Sequence, residues 1–154
     1  MKTISALIAV SLLFVAVAAA EGPVTLSTCE KYLMEMKIKP EKKQGDRMLF
    51  KLGFSDGKEY PVLLVADAKN KFVYMSVLDL YKMKADDPKA GEMAKKMLEL
   101  NYGMVLTKLE WDSKEGEVRL STALTTEDGL SKKRFSASLI TLISTAEQVK
   151  AKLK

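Results

Sequence analysis

Chemistry in this chain has to be done without imidazole. None of the 154 residues is histidine, which removes Ser-His-Asp and Cys-His nucleophilic systems, His-ligated zinc and any side chain that ordinarily titrates near neutral pH. Carboxylates, lysines and tyrosines remain. The acids Asp86, Asp87, Glu92 and Glu99 do not form a paired-carboxylate motif, and helix caps or solvated faces account for them. Asp67, Asn70 and Asp79 lack the spacing of a calcium loop. Met93, Met97 and Met104 cluster, and deformable core filler explains them more simply than an exposed methionine-rich binding surface, while a copper site would need a groove. No residue earns a catalytic, cofactor-binding or metal-binding assignment, and the chain reads as a non-enzyme that needs no cofactor.

Two features remain that could contact a partner. Lys132, Lys133 and Arg134 fall in the first turn of the last predicted helix, where positive charge opposes the helix dipole. They are a candidate basic contact, weighed against an ordinary solvated face. Trp111 is the only tryptophan; its place on a strand predicts a side chain partly buried at the sheet end, with a partner platform as the other use. Cys29 is the only cysteine, so no internal disulfide can form. It reads as a small buried hydrophobe on its helix, the alternative being an unpaired thiol that links two chains.

The compartment comes from residues 1–20. A basic start at Lys2, an apolar run from Ile4 to Val17 and the small residues Ala18, Ala19 and Ala20 before Glu21 have the layout of a cleavable secretory signal. The apolar core is short for a membrane span. Residues 21–154 would then be the mature chain, periplasmic or secreted, with no stable membrane span after cleavage. Without Lys2 it carries 24 basic against 20 acidic residues, too mild and mixed a balance for a nucleic-acid partner. Its length suits one domain with a single core.

The elements that must position these side chains are legible in order. Ser27 and Glu30 have capping-box spacing for a helix from Thr28 to about Met36. Pro40 and the solvated run Glu41 to Gly45 end it, read as a loop. Met48, Phe50, Leu52 and Phe54 alternate with other residues as on a half-buried strand. Asp56-Gly57 supplies a turn, and Tyr60 to Ala66 is apolar throughout, as in a strand covered on both faces or central in the sheet. Phe72 to Leu80 returns the chain after the turn at Asp67 to Lys71. A second helix spans about Lys89 to Leu100, closed by Asn101 or Gly103 in a left-handed conformation. Met104 to Trp111 and Glu117 to Leu124 form a hairpin around Ser113 to Gly116. Ser131 caps the last helix, whose stripe Phe135, Leu139, Leu142, Ile143, Ala146, Val149 and Leu153 must dock on the sheet. The fold class is α+β, two layers, with a five-stranded antiparallel sheet in the order α-β-β-β-α-β-β-α.

That order, with the segments Met97 to Tyr102, Leu109 to Asp112, Glu115 to Leu120 and Phe135 to Ala146, resembles the YbjN-type family of bacterial sensory transduction regulators. That family is similar in architecture to type III secretion chaperones. The resemblance implies an α+β domain used for protein interaction, often dimeric, with no catalytic residues to carry over. Asn101 matches the family's helix-end asparagine, which implies a capping and loop-fixing role. The signal-like residues 1–20 depart from the intracellular members.

The function expected is an exported, non-catalytic domain binding another protein, or a second copy of itself, through its sheet face or the surface between its helices. The alternative is a periplasmic binder of a small apolar ligand or lipid, with Met93, Met97, Phe50, Phe72 and Tyr74 lining a cavity between sheet and helix.

Overall fold

The computed structural model describes residues 22–153, so the signal assigned to residues 1–20 lies outside the described residues. The elements are α1 (Leu26–Glu35), β1 (Pro40–Gln44), β2 (Arg47–Gly53), β3 (Glu59–Asp67), β4 (Phe72–Lys82), α2 (Ala90–Tyr102), β5 (Lys108–Asp112), β6 (Glu117–Thr125) and α3 (Lys132–Leu153). The six strands form one sheet in the order β1-β2-β3-β4-β6-β5, and every neighbouring pair is antiparallel.

The class is α+β as expected, but with six strands in place of five. The added strand is Pro40–Gln44, the stretch read as a loop. Its four residues after the proline are exposed, so it has no apolar alternation to announce it, and its order comes from pairing with β2 and the 3.0 Å ion pair of Lys51 with Glu41. Proline, charge and shortness are what an edge strand carries to discourage pairing with another chain.

Strand periodicity assigns the two faces. Met48, Phe50 and Leu52 lie opposite Leu64, Val62 and Tyr60; Val62, Leu64 and Ala66 lie opposite Val77, Met75 and Val73. Leu120, Thr122 and Leu124 continue the rows onto β6. All are buried, and this inner face carries the helices. From α3 it receives Phe135, Leu139, Leu142, Ala146, Val149 and Leu153, six of the seven stripe residues, with Ile143 half-buried. Ser131 caps α3 as its spacing predicts, its Oγ accepting the Arg134 N–H at 3.2 Å.

Three local expectations change. The first helix starts earlier, at Leu26, because Thr25 is the capping residue and its N–H donates to Thr28 Oγ1 at 3.4 Å; Ser27 and Glu30 lie inside the helix. At the end of α2 the backbone of Gly103 is right-handed, φ −87°, so neither Asn101 nor Gly103 ends it by the left-handed route. Asn101 instead uses its side chain: Oδ1 accepts the Leu109 N–H at 2.7 Å and Nδ2 donates to the Leu109 carbonyl at 3.1 Å. The strand expected from Met104 begins only at Lys108, because Thr122 Oγ1 donates to the Leu106 carbonyl and residues 104–107 stay off the ladder. Cys29 is buried with no exposure, and burial pushes its thiol up to about 12. That is the hydrophobe reading, and it places the sulfur out of reach of another chain.

Candidate protein-binding face

The outer face of the sheet is where the sequence was least transparent. Of the two readings of Tyr60 to Ala66, the structure gives the central strand, β3 lying between β2 and β4, without cover on both faces: Tyr60, Val62, Leu64 and Ala66 are buried, while Pro61, Leu63 and Val65 stand half-exposed on the other face. The register builds rows across it. One runs Lys42, Leu49, Leu63, Ser76, Ser121, Lys108, and the next runs Arg47, Val65, Tyr74, Ala123. Leu49, Leu63 and Val65 therefore make an apolar patch over β2 and β3, Ser76, Ser121 and Tyr74 follow it toward β6, and Lys42 and Lys108 end the first row. The helices pack on the opposite side.

Within this face sits a polar cluster that the sequence reading did not assign. Glu110 accepts from Tyr74 Oη at 2.7 Å and from Arg119 Nε at 3.2 Å, and pairs with Lys108 Nζ at 2.7 Å. Burial pushes the carboxyl up, but the hydrogen bonds from Lys108 and Tyr74 outweigh it and hold Glu110 at about 2. The Tyr74 phenol is pushed up, by burial and then by its bond to Glu110. Three donors fix the carboxylate between β4, β5 and β6, as a structural anchor would be. Glu110 opposite Arg119 on neighbouring strands is the signal that could have found it, an acid facing a base across a hairpin.

A cleft of about 390 Å³ adjoins the cluster, lined by Tyr74, Asn101, Met104, Val105, Leu106, Thr107, Lys108, Ser121, Thr122 and Ala123. Two of its lining residues are apolar and exposed, Val105 at 95% and Leu106 at 69%, and the last turn of α2 that leads to them exposes Leu98 at 70% and Tyr102 at 97%. Large apolar side chains gathered at one exposed place mark an interaction site more often than chance placement would.

The residues singled out from sequence do not meet. Trp111 is partly buried at the sheet end, as expected, and its Nε1 donates to the Met83 carbonyl at 2.9 Å. Lys132 is tied to Glu35 at 2.7 Å, joining α3 to α1. Arg134 reaches Thr125 Oγ1 at 3.3 Å, and Lys133 is exposed. Trp111 pairs with Val118, seven positions from Thr125 on β6, so about 23 Å separates it from the Arg134 end. The ligand cavity does not assemble either. Phe50 and Met97 are buried in the core, and Phe72 and Tyr74 alternate with buried Val73 and Met75, which puts them on the outer face. Among the described residues no group of three or more His, Cys, Asp or Glu could hold a metal ion, and no helix is long and apolar enough to cross a membrane.

No protein-family model matches the chain, and no curated protein matches it. Solved structures do. The fold is similar to YbjN from E. coli, described as a candidate transcription regulator, with a TM-score of 0.60 at 11% identity over 84% of this chain and 89% of that one. It is similar to a chain of the HopA1-SchA chaperone-effector complex, TM-score 0.56 at 10% identity over 81% and 91%. A chain of the ExsC-ExsE complex gives 0.52 at 14% identity over 84% and 97%. At such identities the likeness is one of fold, and the fold is the one the sequence resemblance implied, shared by YbjN and secretion chaperones.

Proposed function

We propose that this chain is an exported, non-catalytic domain that binds another protein through the outer face of its sheet. The observation that carries the reading is that face: Leu49, Leu63, Val65 and Tyr74 lie half-exposed in adjoining rows with every helix on the opposite side. Cross-strand pairing such as Leu49 with Leu63 returns only about 0.2–1 kcal/mol per pair to the monomer, whereas a partner that covers them gains about 25 cal/mol per Å² removed from water. The likeness to a chain of a chaperone-effector complex supports the same use. Export rests on the layout of residues 1–20.

The test is the intact mass, under non-denaturing conditions, of the protein purified from the extract of the cells that make it. An added polypeptide or a doubled mass supports the reading, and an N-terminus at Glu21 supports export. Added mass of a few hundred daltons would transfer the face to a small apolar ligand. A bare monomer from every extract counts against protein binding.

A further inference from the structure

We propose that the tip formed by the end of α2 and the turn into β5 inserts into a lipid surface, with Leu98, Tyr102, Val105 and Leu106 entering the apolar boundary and Lys95 and Lys96 reaching the headgroups. This goes beyond the protein-binding reading. The tip shares no side chain with the outer-face patch of Leu49, Leu63 and Val65.

Leu98 and Tyr102 stand four residues apart on one stripe of α2, and Lys95 precedes Leu98 by three. The packed stripe, with Ala90 and Met97 buried, lies on the other side of the helix. Val105 follows Tyr102 by three residues and is at most about 11 Å from it. The main chain of the turn is held from within the domain: buried Thr107 donates to the Met104 sulfur at 3.4 Å, and the Leu106 carbonyl accepts from Thr122 Oγ1 at 2.8 Å. Its apolar side chains are not held. Val105 is 95% exposed and Tyr102 97%.

That exposure decides between kinds of partner. A protein pocket that closes on side chains touching nothing must freeze each of them and lose its rotamer freedom. Fluid acyl chains take up the same apolar surface and leave that freedom in place. Tyrosine suits the layer where hydrocarbon meets headgroups, and a lysine stem lies along apolar surface while its amine stays wet. Glu92 and Glu99 share α2 with Lys95 and Lys96, and Lys108 is tied to Glu110. Charge therefore adds only a small preference for anionic lipid, and the apolar side chains carry the attachment. Among the described residues no helix is long and apolar enough to cross a membrane, so the domain would lie on the surface.

The path of the chain points the same way. The apolar run Ile4 to Val17 leads to Gly22, which lines a cleft with Lys71 and Thr126. Thr126 stands four residues beyond Thr122, the residue that holds Leu106, or about 13 Å along β6. The most apolar stretch of the sequence thus leaves the domain near the corner that carries the tip.

The experiment uses the full chain and vesicles of phosphatidylcholine with about one-quarter phosphatidylglycerol, which gives a negative surface. Val105→Cys is labelled with the environment-sensitive dye NBD; Cys29 has no exposure and stays unlabelled. Lys114→Cys, exposed in the turn at the other end of β5, carries the same dye as a control. Vesicles should shift the dye at position 105 to the blue, with quenching by spin labels on the upper acyl chain, and leave the dye at position 114 unchanged. Val105→Ser with Leu106→Ser should weaken sedimentation with vesicles about tenfold at an unchanged urea midpoint. Lys95→Glu with Lys96→Glu should weaken it about threefold on these vesicles and leave it unchanged on phosphatidylcholine alone. A lysine variant that matches the wild type on both vesicles overturns the headgroup contact. No sedimentation of the wild-type chain, equal sedimentation of the serine variant, or equal shifts at positions 105 and 114 overturns the proposal. A chain that sediments with an unshifted dye at position 105 also overturns it, and gives the attachment to residues 1–20. A shift without lipid, accompanied by a doubled mass or a co-purified polypeptide, gives the tip to a second copy or to a protein and overturns the lipid surface. The outer-face reading is judged separately, by the intact mass.

Discussion

Asn101→Ala should uncouple α2 from the sheet at a single point. The carboxamide joins the helix end to the outward main-chain groups of Leu109, accepting its N–H at 2.7 Å and donating to its carbonyl at 3.1 Å. Leu109 is 5% exposed, so truncation strands one donor and one acceptor at a partly buried place. A bond lost with solvent repair costs about 0.5–1.5 kcal/mol, and a group left unpaired costs about 1–3 kcal/mol. The pair therefore predicts a loss of about 2–4 kcal/mol, or a fall in Tm on the order of 8–15 °C for a domain of this size. Urea unfolding gives the free energy and amide exchange gives the place, since Leu109 should lose protection before its neighbours on β5. Asn101→Asp keeps the acceptor for the N–H but sets a carboxylate against the carbonyl, so it should recover no more than half of the loss. A cost below about 0.5 kcal/mol, with Leu109 still protected, would refute the clamp and return Asn101 to the role of a plain helix-end residue.

Glu110 predicts an acid-side loss of stability. Its folded value of about 2 lies below the ordinary 4.5, so its contribution is complete above about pH 4.5 and drains away as the pH falls toward 2; with the side chain 24% exposed it amounts to about 1–3 kcal/mol. Glu110→Gln should flatten that slope in a series of unfolding curves from pH 5 to 2. Cys29 should resist thiol reagents at neutral pH in the folded chain, because burial holds the thiol up at about 12, and react fully in denaturant. Phe135→Ala should cost about 3–5 kcal/mol by calorimetry, as Phe135 is fully buried and packs on Tyr32 at 5.6 Å between ring centres. Lys150→Met should loosen the far end of α3 by about 1–2 kcal/mol, seen as faster exchange near Ser55, since Lys150 pairs with Asp56 and lies 4.1 Å from the Tyr60 ring centre.

What the sequence showed well was whatever periodicity records. The α3 stripe, the alternation of Met48 to Phe54 and that of Val118 to Leu124 are patterns of burial on one side, and the structure buries those residues, Ile143 only in part. The edge strand Pro40–Gln44 was invisible for the opposite reason: it buries nothing, and its strand conformation is imposed by β2 across the ladder. The start of α1 was missed because two box-like spacings overlap. Thr25 with Thr28 and Ser27 with Glu30 both fit, and local chemistry does not choose between them.

The outer face was hidden by a pattern with two causes. A run such as Tyr60 to Ala66 is apolar at every position either when both faces of a strand are covered or when one face is covered and the other is kept for something outside the chain. Pairing tells the two apart only after folding: Leu49 and Leu63 share a row with Lys42 and Lys108 on the two edge strands, and Val65 shares one with Arg47. The same logic explains why Lys132, Lys133 and Arg134 could be noticed but not sorted. Lys132 spends its charge on Glu35, which leaves Arg134 as the member that meets β6 at Thr125. A basic triplet in one helical turn thus resolves into an ion pair that ties α3 to α1, a contact from α3 to the end of β6, and one exposed lysine.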